Sequence, residues 1–186
     1  MGLIDRARVK SPWIMHFDCG GCNGCDIEVL ACLTPIYDVE RFGIVNVGNP
    51  KHADALVVTG PVNRRNAQVL RNVYEQMPEP RVVIAVGTCA CSGGVFHNCY
   101  NILGGTDKVI PVDVYVPGCA AKPEAIIDGV VLALQKLQPK NGKVKPGKVK
   151  PEPTDRAEAP GEAEGELPTA EAAAHGAGPG ESGRSS

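Results

Sequence analysis

Aromatic residues are scarce in this 186-residue chain, with one Trp, three Phe and four Tyr. So few rings exclude the stacking surface that single-stranded nucleic acid requires. A basic excess is missing too: 19 Lys and Arg stand against 21 Asp and Glu, a net charge of −2. Without a positive footprint, nucleic acid is not an expected partner. Long apolar runs are lacking, and no stretch approaches the ~18 residues of a membrane-spanning helix. The opening segment, 1–13, is mixed and charged rather than a signal peptide. Met1-Gly2 lacks the following Ser or Thr of a myristoylation signal, and Arg64-Arg65 lies too deep for twin-arginine export. These absences predict a cytoplasmic protein whose membrane contacts run through partners.

Large apolar residues also run out near the C-terminus. Segment 139–186 is Pro, Gly, Ala, Glu and Lys, basic over 140–150 and acidic from 152 onward. It has no apolar period and is predicted to be a disordered tail. That leaves one domain, 1–138, large enough to bury a core without disulfides.

What the chain does have is cysteine, eight in all. In a reducing compartment such cysteines serve metal binding or redox chemistry rather than disulfides. Their placement follows the secondary structure. A short strand over 13–17 runs into the turn Cys19-Gly20-Gly21-Cys22-Asn23-Gly24-Cys25. A helix over 26–33 should follow, with Asp26 and Glu28 in its first turn and Thr34-Pro35 at its end. Segment 44–47 is a possible strand. The apolar run 55–59 is a stronger one, suited to a sheet covered on both faces. A helix over 63–77 is stopped by Pro78 and Pro80. Strand 82–86 ends in Gly87-Thr88-Cys89, followed by a small open turn. Strand 112–116 ends in Pro117-Gly118-Cys119. A last helix, 123–137, carries an apolar stripe at Ile126, Ile127, Val130, Val131 and Leu134. This alternation predicts an α/β fold with a mainly parallel sheet.

In open sheets of this kind, sites form beyond the carboxyl ends of the strands. Cys22 and Cys25 follow one strand, Cys89 another and Cys119 a third, so three loops could converge on one volume. A Cys-x-x-Cys pair in a Gly-rich turn presents two thiolates to one centre, and small residues let backbone N–H groups approach bridging sulfides. Three readings stay open at this point: an iron–sulfur cluster, a zinc site, or redox thiols. Zinc sites take two close ligand pairs, whereas Cys89 and Cys119 arrive singly. A thioredoxin-like pair would not explain the cysteines at the other strand ends. Of the remaining four, Cys32 suits core packing on its helix. Cys19 and Cys91 lie near enough in sequence to exchange with the proposed ligands, and Cys99 has no assigned role. His16 and His97 are read as structural, and Lys51-His52 as an exposed loop.

Four separated segments resemble a known family. They are Gly20-Gly21-Cys22-Asn23-Gly24-Cys25-Asp26-Ile27-Glu28, Thr59-Gly60-Pro61-Val62, Gly87-Thr88-Cys89-Ala90 and Val116-Pro117-Gly118-Cys119. In that order they resemble the small subunit of membrane-bound, energy-converting NiFe hydrogenases and the similar subunit of formate hydrogenlyase. The 20 kDa subunit of respiratory complex I belongs to the same superfamily. The resemblance covers 12–137 and not the tail. It implies a flavodoxin-like fold, with helices on both faces of the sheet. It also implies one 4Fe–4S cluster on Cys22, Cys25, Cys89 and Cys119, next to the active site of a large catalytic subunit. The complex I subunit carries adjacent cysteines at the first motif, whereas here Asn23-Gly24 separates them, as in hydrogenases.

Uptake hydrogenase small subunits add further clusters in a C-terminal domain. This chain has no cysteine after Cys119 and so resembles the one-cluster type. The resemblance implies a subunit of an oxidoreductase complex, with no active site of its own. Its partners would be a NiFe hydrogenase-like large subunit, a ferredoxin-like multi-cluster subunit and membrane ion-translocating subunits. It would sit peripherally on the cytoplasmic face. A complex I-like quinone or sulfur reductase subunit is the alternative within the superfamily. A zinc-stabilised binding protein is the alternative outside it. Glu28 matches an acidic position near the first motif.

Overall fold

The computed structural model describes residues 7–8 and 10–137. The tail read as disordered lies outside them. In chain order the elements are β1 (Trp13–Asp18), α1 (Gly24–Cys32), β2 (Val45–Asn46), β3 (Ala55–Thr59), β4 (Val62–Asn63), α2 (Arg64–Gln76), β5 (Val82–Val86), α3 (Gly87–Ser92), β6 (Ile102–Gly104), β7 (Val114–Val116) and α4 (Pro123–Leu137).

Five strands form one parallel sheet in the order β2-β1-β3-β5-β7. The chain runs outward from β1 to β2, then crosses back to β3 on the other side. This is the flavodoxin-like arrangement, with its switch point between β1 and β3. The centre of the sheet is its driest part. Every residue of β3 and β5 is buried, because helices cover both faces. On one face Ile14, Val57, Ile84 and Val116 pack with Val29 of α1 and Ile126, Val130 and Leu137 of α4. On the other, Leu56, Val58 and Val83 pack with Leu70 of α2 and with Val109 and Ile110.

Local chemistry sets the helix ends. The Asn63 side chain accepts from Asn66 N and caps α2, and Pro78 follows its end. Leu70 is the fully buried anchor of this helix. Leu70→Ala is expected to cost about 2–5 kcal/mol, read as a lower urea midpoint at unchanged slope.

The structure adjusts several sequence readings. The segment after β5 is a six-residue helix, α3, rather than an open turn. A small antiparallel pair, β4 with β6, was not foreseen. In α4, Val131 faces outward and the buried face instead passes through Gly129 and Ala133. Gly129 sits against β7, where a Cβ would fall 2.4 Å from Val116 Cγ2. Among the described residues, no helix is long and apolar enough to cross a membrane.

Candidate metal centre

Because the strands are parallel, the loops after β1, β5 and β7 leave the same edge of the sheet. Cys22 lies in the first of these connections and Cys25 in the opening turn of α1, Cys89 lies on α3 directly after β5, and Cys119 follows β7. Backbone contacts bind these loops together. Thr88 N donates to Gly118 O at 2.8 Å, joining the second loop to the third. Ala121 N–H donates to the Cys25 sulfur, joining the third to the first. Gly87 joins the first to the second: a Cβ there would fall 2.4 Å from Cys25 Sγ. Its φ of +86° suits only glycine at low cost. Cys89 Sγ packs in the same way on Gly94, where a Cβ would lie 2.9 Å away.

The loop after β3 has no cysteine but braces the first. A Cβ on Gly60 would lie 2.6 Å from Gly21 N. Asp18 Oδ1 accepts from Gly20 N and Gly21 N, and Asn63 Nδ2 donates to Cys19 O at 2.9 Å. Asn23, at φ 64°, makes the left-handed step into α1.

Cys25 and Cys89 also respond electrically to the other thiols of the set. Burial raises the Cys89 thiol above its ordinary value, and charge on Cys119, Cys25 and Cys22 raises it further. For Cys25, burial raises the thiol most. The Ala121 N–H opposes this, while Asp26, Cys22 and Cys119 add to it. Free thiols crowded in this way hold their protons, and a bound cation would reverse the balance. Cys22 and Cys119 are exposed, whereas Cys25 and Cys89 are half-buried. The ring therefore has an open side.

The remaining cysteines point elsewhere. Cys19 is fully buried in the core on the α2 face, and burial, then Asp18, pushes its thiol up to about 12. Cys32 packs in the core as expected and donates to Glu28 O and Pro123 O. Burial pushes its thiol up to about 11. Cys91 donates to Ala85 O and Val116 O, and Cys99 is exposed. Glu28 falls beyond the first turn, because α1 begins at Gly24, and Asp26 alone is the acidic residue there.

Sequence reasoning gave His16 no role. In the structure its Nε2 lies 2.9 Å from Asp26 Oδ1 and 3.0 Å from Thr59 Oγ1. Thr59 donates to the same carboxylate oxygen. The available signal was a polar residue at an inward position of β1, two residues after buried Ile14.

The donors converging here are soft thiols, which suit iron–sulfur or zinc centres. Among the described residues, no group of three or more His, Cys, Asp or Glu side chains closes round a point that one metal ion could fill. A cluster several atoms across takes a wider ring than one ion. Gly24, Gly87 and Gly94 keep side-chain atoms out of the space beside the sulfurs. Four thiols on a glycine-lined cradle fit such a cluster.

The model of the NADH ubiquinone oxidoreductase 20 kDa subunit family matches residues 22–133. The chain is 52% identical over 143 residues to a probable membrane-bound hydrogenase subunit of Pyrococcus furiosus, covering 77% of this chain and 83% of that one. It is 44% identical over 146 residues to formate hydrogenlyase subunit 7 of Escherichia coli, covering 78% of this chain and 57% of that one. Among solved structures, a chain of an archaeal membrane-bound sulfane sulfur reductase aligns with a TM-score of 0.66 at 37% identity, covering 77% of this chain and 78% of the other. These relatives are subunits of oxidoreductase complexes. This chain belongs to the family of the NADH ubiquinone oxidoreductase 20 kDa subunit.

Proposed function

We propose that this chain is the electron-transfer subunit of a membrane-associated, energy-converting NiFe hydrogenase complex. Cys22, Cys25, Cys89 and Cys119 hold one 4Fe–4S cluster. Through it the chain relays electrons between a ferredoxin-like, multi-cluster subunit and a NiFe large subunit, while membrane subunits move ions. The observation that carries this reading is the convergence of four thiols from three strand ends onto one glycine-lined edge.

A bound 4Fe–4S cluster supplies one-electron storage and transfer. The chain's own residues fix where that happens and at what potential. The Ala121 N–H draws charge from the Cys25 sulfur. Helix α1 turns its positive N-terminal end toward the first cysteine loop. Burial of Cys25 and Cys89 limits water on one side. On the open side, Cys22 and Cys119 are exposed, and Ile27 and Leu30 of α1 are exposed apolar residues nearby in the chain. Val95 and Tyr100, which follow Cys89 in the chain, are exposed as well. We assign the large subunit to this side. The chain itself has no substrate site in this reading. It sits peripherally on the cytoplasmic side of the membrane through its partners.

A second reading keeps the cluster and changes the large subunit to a quinone- or sulfur-reducing one. The likeness to the sulfane sulfur reductase chain favours it. Both readings are tested on the complex purified without oxygen, with iron, sulfide, zinc and nickel measured. About four iron and four sulfide per chain, with an EPR signal on reduction, is the expected result. Nickel in the large subunit and hydrogen turnover support the hydrogenase. Sulfur or quinone reduction without nickel transfers the chain to the second reading. One zinc per chain and no iron overturns both and leaves a metal-stabilised binding protein.

A further inference from the structure

His16 stands where the fold asks for an apolar side chain. It follows Ile14 by two residues on β1, on the sheet face that α1 covers, in register with Val57 of β3 and, beyond it, Ile84 of β5. Its side chain retains 19% of its exposure and that of Asp26 14%, while Thr59 is fully buried. A polar group at such a place persists only if its partners are met. All three side chains meet here. His16 Nε2 lies 2.9 Å from Asp26 Oδ1 and 3.0 Å from Thr59 Oγ1, and Thr59 Oγ1 donates to that same Oδ1.

The donor pattern follows from the chemistry. A carboxylate only accepts, so the His16 nitrogen facing Asp26 carries its proton. One carboxylate oxygen thus takes two donors, one from the last residue of β3 and one from the imidazole. Asp26 directly follows Cys25 in the chain. After burial, its negative charge is among the causes that raise the Cys25 thiol. A charge that disfavours a thiolate also disfavours adding an electron to an anionic centre bound by it.

We propose that His16 is a positioning residue: its Nε2–H holds the Asp26 carboxylate against β1 and β3 and partly neutralises it, and so raises the potential of the centre bound through Cys25. This rests on the cluster assigned above. His16 touches neither substrate nor the four thiols in this role. It acts through Asp26, and Thr59 shares the carboxylate with it.

The test is an EPR-monitored redox titration at one pH on the anaerobically purified complex, with iron and sulfide assayed in each sample. His16→Ala should keep its iron and move the midpoint to a more negative potential. His16→Gln, whose amide can still donate, should stay close to wild type. Asp26→Asn should move the midpoint upward, and adding it to His16→Ala should cancel the downward shift. A His16→Ala complex with full iron and the wild-type midpoint overturns the proposal. So does a Gln variant displaced as far as the Ala variant. If His16→Ala loses its iron, Asp26→Asn decides, and an unmoved midpoint there overturns the role. Wild-type complex without iron overturns the cluster assignment and this inference with it. That result is distinct from full iron with an unmoved midpoint, which removes the positioning role alone.

Discussion

Cys119→Ala in the assembled complex is expected to abolish the reducible EPR signal and cut electron transfer by more than about 100-fold. Loss of an outer-shell partner alone typically costs ~10–100-fold in metal affinity or activity, and a ligand should cost more. Cys119 is exposed at the open side of the ring, so its removal leaves little cavity in the core. The fold should survive, and far-ultraviolet circular dichroism should match the wild type. The matched control is Cys99→Ala, also exposed but outside the proposed ligand set, which should retain full iron. Equal iron in the two variants would remove Cys119 from the ligand set.

The second large effect comes from a residue with no side chain. Gly87→Ala should strip iron from the complex by more than about 10-fold. Two costs act together. The backbone there has φ +86°, and an L-residue in a left-handed conformation costs roughly 1–2 kcal/mol. The added Cβ would also fall 2.4 Å from Cys25 Sγ, so the sulfur has to move. Gly48→Ala provides the contrast, because nothing lies within 4 Å of a Cβ at that position and iron should be unchanged. Full iron in Gly87→Ala would show that the close packing of Cys25 on Gly87 does not position the sulfur.

Much of this architecture was legible in the sequence. Strands β3 and β5 were read at their observed bounds, because each is an apolar run with a breaker at its end. Helix α4 was read at its bounds as well, starting at Pro123. The loops carrying Cys22, Cys25, Cys89 and Cys119 could be put at one edge, because parallel strands leave no other choice. What escaped was short or tertiary. Helix α3 has six residues and no apolar period, since Gly, Thr, Cys and Ser form most of it. Strands β4 and β6 are too short to show alternation. Val131 looked like part of the α4 stripe because apolarity alone hides the rotation that Gly129 imposes against Val116. The partners of His16 lie 10 and 43 residues away, at Asp26 and Thr59. No local pattern links residues so far apart, and the contact exists only once β1, β3 and α1 are packed.

The brace between Gly21 and Gly60 has a consequence for which chain lengths this fold can accept. Surface loops usually take insertions cheaply, because closure entropy grows slowly with length. The turn between β3 and β4 is of another kind, with Gly60 and Pro61 buried. Its Gly60 backbone meets the Gly21 backbone with no room for even one added methyl group. A residue gained or lost there would shift the first cysteine loop against the other two. Segment 97–100 is exposed throughout, and its backbone hydrogen bonds run to residues three away in the chain rather than to a distant loop. Variation in length should therefore gather in that segment and avoid the buried turn after β3, although both are connections within one α/β domain.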